Sequence, residues 1–281
     1  MYFDFHTHIF PDKISEGAIE TLISKAEIAT GEKDCLCAHT NGTLEGLKRS
    51  MERSGIDKCL VLPVCTAPSQ FESINRFASQ INGTDGRIYS FGGIHPDCED
   101  VEGKLDYIKS LGLRGVKLHP AYQNCMIDDT RNLKIAEHCM KIGLYCLFHA
   151  GYDIAYPDTE FCPPDKFAQA FTPLLEKYSE KEHPHIILAH LGGVKSLEGT
   201  LDHLCGLPIY MDTAYTLENT KTELLMRVIR SHGADRILFG TDSPWCSQRK
   251  CAERLASLPI SKKEFEDISF GNAQRILGEN R

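Results

Sequence analysis

Eight short apolar segments, each followed by a run with helical spacing, recur along the 281-residue chain at intervals of roughly thirty residues apart from a longer first connection. A first strand at Phe3 to His8 is followed by Cys59 to Val64, Ile88 to Ile94, Gly115 to His119, Leu144 to His149, His185 to His190, Ile209 to Thr213 and Ile237 to Thr241. Between them lie amphipathic faces such as Ile74, Phe77, Ala78 and Ile81, then Leu133, Ala136 and Met140, then Leu224, Leu225, Val228 and Ile229. Strands that alternate with helices pair in parallel through right-handed crossovers, and eight such units in a chain of this length fit a closed ring. An open doubly wound sheet would want a glycine-rich phosphate loop after an early strand, where this chain has His-Thr-His-Ile-Phe-Pro. The expected fold is α/β, one (β/α)8 TIM barrel over residues 1–281.

Local signals mark the boundaries. Pro11 to Thr30 carries Ile14, Ala18, Leu22 and Ile23 at helical spacing, and Gly31 to Gly42 is a polar loop. Thr43 starts a helix that Gly55 ends. Thr172-Pro173 reads as an N-cap with proline in the first turn, opening a helix to Tyr178. Ser261-Lys-Lys-Glu264 fits a capping box, and Asn272 is expected to cap the closing helix.

Barrel enzymes place their chemistry at the C-terminal ends of the strands, so the polar residues found there are the candidates. His6 and His8 end the first strand, with Asp4 on the same alternating face and available to orient a ring. His95 ends the third strand, Lys117 and His119 the fourth, His149 the fifth, His190 the sixth and Asp242 the eighth. A closed ring sets the first and last strands side by side, so His6, His8 and Asp242 can meet at one cation, with His149 and His190 reaching in from across the mouth. Such nitrogen and oxygen donors suit a divalent metal, zinc first, with manganese or iron as alternatives. His39, His138, His183, His185, His203 and His232 lie elsewhere and receive no role. Cys35-Leu-Cys37-Ala-His39 has the spacing of a soft-metal loop but no second cluster to complete it, and it is read as a plain loop. The other cysteines, scattered singly through apolar segments, read as reduced small hydrophobes.

Composition narrows the partners. A formal net charge of −8 with no run of Lys or Arg argues against a nucleic-acid or anionic-membrane surface and leaves a small molecule. No apolar run approaches membrane-spanning length, and the N-terminus enters a strand directly, so a cytoplasmic location is expected.

The motifs Asp4-Phe-His-Thr-His8, Gly115-Val-Lys-Leu-His-Pro120, Phe148-His-Ala-Gly151, Leu188-Ala-His-Leu-Gly-Gly193, Phe239-Gly-Thr-Asp-Ser-Pro-Trp245 and Gly271-Asn-Ala-Gln-Arg-Ile-Leu-Gly278 span nearly the whole chain. In this order the sequence resembles the amidohydrolase superfamily, in the branch that mixes hydrolases with decarboxylases related to aminocarboxymuconate semialdehyde decarboxylase. The resemblance implies a metallo-dependent barrel in which His6, His8 and Asp242 are metal ligands. His149 completes a one-metal site, with His190 as acid/base or electrophile, or both bind a second metal bridged by a carboxylated lysine at Lys117. Otherwise, and as the favoured reading, Lys117 is an ammonium that binds a substrate carboxylate or phosphate. The primary expectation is hydrolysis of a small anionic amide, lactone or ester, by metal-activated water with Asp242 as general base and acid. The alternative is nonoxidative decarboxylation of an aromatic or muconate-type acid, and the third reading is a non-catalytic metal-binding protein. His119, Tyr122, Tyr152 and Trp245 are the expected substrate contacts, with Tyr156 and Tyr215 as further walls. A homodimer is a family-level expectation.

Overall fold

The computed structural model describes residues 1–178 and 184–278; His183 lies outside them. The barrel strands are β1 (Phe3–Thr7), β2 (Lys58–Val61), β3 (Ile88–Ser90) with β4 (Gly92–Gly93), β5 (Gly115–Leu118), β6 (Tyr145–Phe148), β7 (Ile186–Leu188), β8 (Tyr210–Asp212) and β9 (Ile237–Leu238). They pair in parallel in two runs, β1 to β3 and β4 to β9, and β3 and β4 follow each other along the third barrel position. Backbone bonds from Phe5 N to the Phe239 carbonyl (2.7 Å) and from Asp242 N to the His6 carbonyl (2.9 Å) join β1 to the end of β9. The ring is therefore closed, with the eight positions expected.

One apolar layer fills the barrel and another lies between strands and helices. Phe3, Phe5, Leu60, Phe91, Leu147, Ile187 and Leu238 pack inside with Ile276 and Leu277 of α12 (Asn272–Leu277), whereas Val61, Val116, Leu118, Phe148 and Leu188 face the helices. Strict alternation along β1 would turn His6 outward with Asp4. The β1–β2 register instead shifts between Asp4 and Thr7, an irregularity of the bulge type. His6 then meets Asp212 and Lys117 inside the mouth, while Asp4 bonds Thr241 and Gln248. Asp4 accordingly orients neither imidazole ring, contrary to the expectation from alternation. Burial pushes its carboxyl up to about 7 despite the bonds from Thr241 and Gln248.

Two helix-end expectations are corrected. The helix predicted from Thr172 starts earlier, as α6 (Pro164–Tyr178), with Pro173 inside it. The buried stripe Phe167, Phe171 and Leu175 carries the helix through the proline, and the Thr172 hydroxyl donates back to the Ala168 carbonyl (2.7 Å) instead of capping. Asn272 does not cap α12, because it is fully buried and its amide donates to the carbonyls of Ala234 and Ile237, tying the closing helix to β9. Thr43 and Ser261 cap as expected.

His232, at the end of α9 (Thr222–His232), is buried with Nε2 on the Ile209 carbonyl (3.0 Å). Burial and the neighbouring Arg236 push its pKa down to about 4. The unfolded chain takes up this proton near pH 6.5 and the folded chain does not, so stability falls as pH drops from about 6.5 to about 4, by roughly 3 kcal/mol. In His232→Gln, denaturant midpoints measured over that window should lose this share of their slope.

Candidate active site

The site is assembled where the strands end. β1 presents His6 near its end and His8 just past it, and the chain presents His190 past β7 and Asp242 past β9. His190 (φ 59°) and Asp242 (φ 71°) sit in the left-handed region, turning sharply where a continuing strand would carry the side chains along the barrel wall. Gly240 allows this approach, since a Cβ there would lie 2.9 Å from the His6 Cβ.

Hydrogen bonds set the tautomers. His6 donates Nδ1–H to Asp212 Oδ2 (2.8 Å), and His8 donates Nδ1–H to the Leu62 carbonyl (2.8 Å). Both Nε2 atoms therefore carry lone pairs, and they face each other at 3.1 Å, with Asp242 Oδ1 at 3.5 Å from one and 3.3 Å from the other. Three acceptors converging with no proton assigned among them form a site for a cation. These residues fit a divalent metal. Burial works to raise the Asp242 carboxyl, but the His8 contact and the facing His6 and His190 outweigh it and hold Asp242 well below the usual carboxylate range. Burial pushes the pKa values of His6, His119 and His149 well below that of a free imidazole, which keeps them neutral and able to ligate.

His190 donates Nδ1–H to the Ala214 carbonyl (3.0 Å), so its Nε2 receives Nδ1–H of His149 (3.0 Å). That leaves His149 Nε2 buried with no hydrogen-bond partner among the described residues. His149 stacks on His119 (ring centroids 4.0 Å apart), and these two with Asp153 form a second close cluster of possible ligands. Lys117 is 1% exposed, with Nζ 3.5 Å from His6 Nε2, and burial pushes its pKa down to about 8 against the pull of Asp212, Asp242 and Asp153.

The expected ligand, catalytic and substrate-contact residues reach one cavity. His6, His8, Lys117, His119, Tyr122, His149, Tyr152, His190, Asp242 and Trp245 all line it, as does Tyr215. Tyr156 is not among its lining residues and instead accepts a hydrogen bond from Lys25. His95 is turned aside, with Nδ1 accepting from Asp97 N (3.1 Å). Cys35, Cys37 and His39 join none of the ligand clusters among the described residues, and all twelve cysteines are free. Two residues were missed. Asp212 ends an apolar strand, the signal that flagged the others, and it holds both His6 and, through Oδ1, the His190 backbone N–H (2.9 Å). Asp153 lies in a loop, where no periodicity pointed to it.

A family model described as amidohydrolase matches residues 4–278. The chain belongs to the amidohydrolase family. It is thus an enzyme of the amidohydrolase kind. A curated relative, a gamma-resorcylate decarboxylase from a Polaromonas species, is 38% identical over 66 residues, which are 24% of this chain and 20% of that protein. Among solved structures, an uncharacterized TIM-barrel protein from Bordetella bronchiseptica superposes with a TM-score of 0.74 at 18% identity, covering 99% of this chain and 98% of that one. A dihydroxybenzoic acid decarboxylase from Polaromonas, with bound manganese and the inhibitor 2-nitroresorcinol, gives 0.68 at 17% identity, covering 100% and 97%. At these identities the structural likenesses establish the barrel fold of this amidohydrolase-family member. No helix among the described residues is long and apolar enough to cross a membrane.

Proposed function

We propose that this amidohydrolase-family member is a metal-dependent nonoxidative decarboxylase of a hydroxylated aromatic carboxylic acid. The observation that carries the proposal is the convergence of His6 Nε2, His8 Nε2 and Asp242 Oδ1 within 3.5 Å beside the buried ammonium of Lys117. The decarboxylases met in the comparisons support this chemistry ahead of hydrolysis, which was the primary expectation from the sequence.

His6, His8 and Asp242 would hold the cation, with His149 and His190 as the further candidate ligands. Manganese, bound in the Polaromonas structure, stands beside zinc as its identity. The bound metal would neutralise and orient the substrate carboxylate and the adjacent ring oxygen. Lys117 adds a fixed positive charge at the same place, and Tyr122, Tyr152 and Trp245 confine the ring. A proton that His190 or Asp242 first takes up from solvent adds to the ring carbon that bears the carboxylate. The carbon–carbon bond then breaks, its electron pair returns to the ring, and carbon dioxide leaves. His149 faces His190 Nε2 across 3.0 Å, so a proton taken up at His149 Nε2 lets its Nδ1 proton pass to His190 and replace the one that is spent.

The test is carbon dioxide release from 2,6-dihydroxybenzoate by manganese- or zinc-loaded protein, with chelator-treated protein as control. Release that vanishes with the metal and returns on its addition is the expected result; no release from any hydroxylated benzoate overturns the proposal. Lys117→Met should raise KM about tenfold or more while keeping metal content, because a buried charge-assisted contact to carboxylate is lost. Steady-state kinetics beside elemental analysis read the two effects separately.

Hydrolysis of an amide, lactone or ester is the second reading, and one observation favours it. Burial draws Lys117 toward the neutral amine, the form that takes up carbon dioxide to become a bridging carboxylate. A gain of one carboxyl group in intact mass, with two metals per chain, would bring this reading forward.

A further inference from the structure

The cavity is much larger than a single-ring acid requires. Its volume is about 1150 Å³, beyond the roughly 300–1,000 Å³ of common small-molecule pockets. Its inner end holds the imidazoles, Asp242 and Lys117. Away from them Ala18 and Leu22 on α1 (Ser15–Thr30), Leu36 in the loop that follows, and Ile74 and Phe77 on α3 (Phe71–Ile81) make an apolar stretch of wall, bordered by the polar Thr21, Lys25, Gln70 and Ser73.

This annex is built by α1, which lies in the long connection between β1 and α2 (Leu44–Ser54). A helix lying on a barrel needs one apolar stripe, and in α1 Ile19 and Ala26 are buried on it. Ala18, Leu22 and Lys25, spaced i, i+4 and i+7, form a second stripe along the cavity. Leu22, Leu36, Ile74 and Phe77 remain only half-buried, so apolar surface faces the cavity uncovered by protein. The wall is also fixed. Lys25 Nζ lies 4.6 Å from the ring centres of both Tyr122 and Tyr156 and donates to the Tyr156 hydroxyl at 2.7 Å. From Ile14 to Lys25 the cavity follows the helix for about 16 Å.

We propose that the substrate is a carboxylic acid with an extended apolar substituent, an alkyl chain of several carbons or a second ring, its carboxylate at Lys117 and its apolar part between α1 and α3. The inference rests on the reading of the inner end as a ring-carboxylate site. Continuity of one cavity, with a buried cation at one end and uncovered apolar walls at the other, selects an amphiphilic anion over a small polar acid.

The experiment measures binding by calorimetry to manganese-loaded protein, using 2,6-dihydroxybenzoate and its 3-alkyl and 4-alkyl homologues from methyl to hexyl. Carbon dioxide release from the unsubstituted acid is followed in parallel. In at least one series Kd should fall about fourfold per methylene. Leu22→Asp, checked for folding by circular dichroism, should flatten that slope. Leu22→Ala should reduce it in the same direction and replaces the aspartate variant if that variant misfolds. Affinities that do not change with chain length in either series overturn the inference, and carbon dioxide release alongside that flat response leaves the decarboxylase reading standing. A steep slope without carbon dioxide release keeps the annex and overturns decarboxylation. Absence of binding and of release throughout overturns both.

Discussion

Asp242→Asn should abolish metal-dependent turnover, by about 10³-fold or more, while leaving the fold intact. The substitution changes a carboxylate to an amide of the same shape at a residue whose φ is 71°, a conformation that asparagine accepts better than most residues. The backbone bonds that lock the turn, from Asp242 N to the His6 carbonyl and from Trp245 N to the Asp242 carbonyl, involve no side-chain atom and survive. What is lost is the negative charge that faces two imidazole lone pairs, so the site loses its anionic ligand and its ionised proton carrier together. Elemental analysis per chain should show the metal reduced, and circular dichroism should show an unchanged barrel. Near-normal activity would remove Asp242 from the mechanism.

Asp212→Asn should be almost as damaging to activity, although Asp212 points away from the cavity. Its carboxylate receives Nδ1–H of His6 and the backbone N–H groups of His190 and Ala214, all buried. In the amide, an NH2 group turned toward His6 Nδ1 favours the tautomer with the proton on Nε2, where the metal lone pair is needed. Metal affinity should fall about 10–100-fold, as for loss of other partners that orient a ligand. Asp212→Ala should in addition destabilise the fold by about 3–5 kcal/mol, since three buried donors lose one charged acceptor. Metal titration and denaturant unfolding separate the two effects: weak metal binding in a stable Asp212→Asn protein is the expected pattern. Wild-type affinity in that variant would reduce Asp212 to a packing residue.

Asp212 also shows where reading the sequence stopped short. It stands near the end of the strand Ile209 to Thr213, where the signal that marks Asp242 is also present, but nothing in the sequence shows that its side chain turns to the His6 ring. Asp4 shows the reverse: period-2 alternation placed it with the histidines, and a register shift that no side-chain pattern encodes separated it from them. Thr172-Pro173 misled for a related reason, because a cap signal is local while the buried Phe167, Phe171 and Leu175 that hold α6 together act through tertiary packing.

The sequence by itself determined the class of fold and the position of its chemistry. The period of strand and helix requires parallel pairing, eight units of it close a ring, and a closed ring brings the ends of the first and last strands together, hence His6 and His8 to Asp242. Only the tertiary structure decided which ring nitrogens carry lone pairs, because those depend on the Leu62 carbonyl, the Ala214 carbonyl and the Asp212 carboxylate, groups 24 to 206 positions away. It alone decided the size and polarity of the cavity as well, since Ala18 and Leu22 of α1 face the cavity while Ile19 and Ala26 face the barrel, and only their packing tells these apolar residues apart.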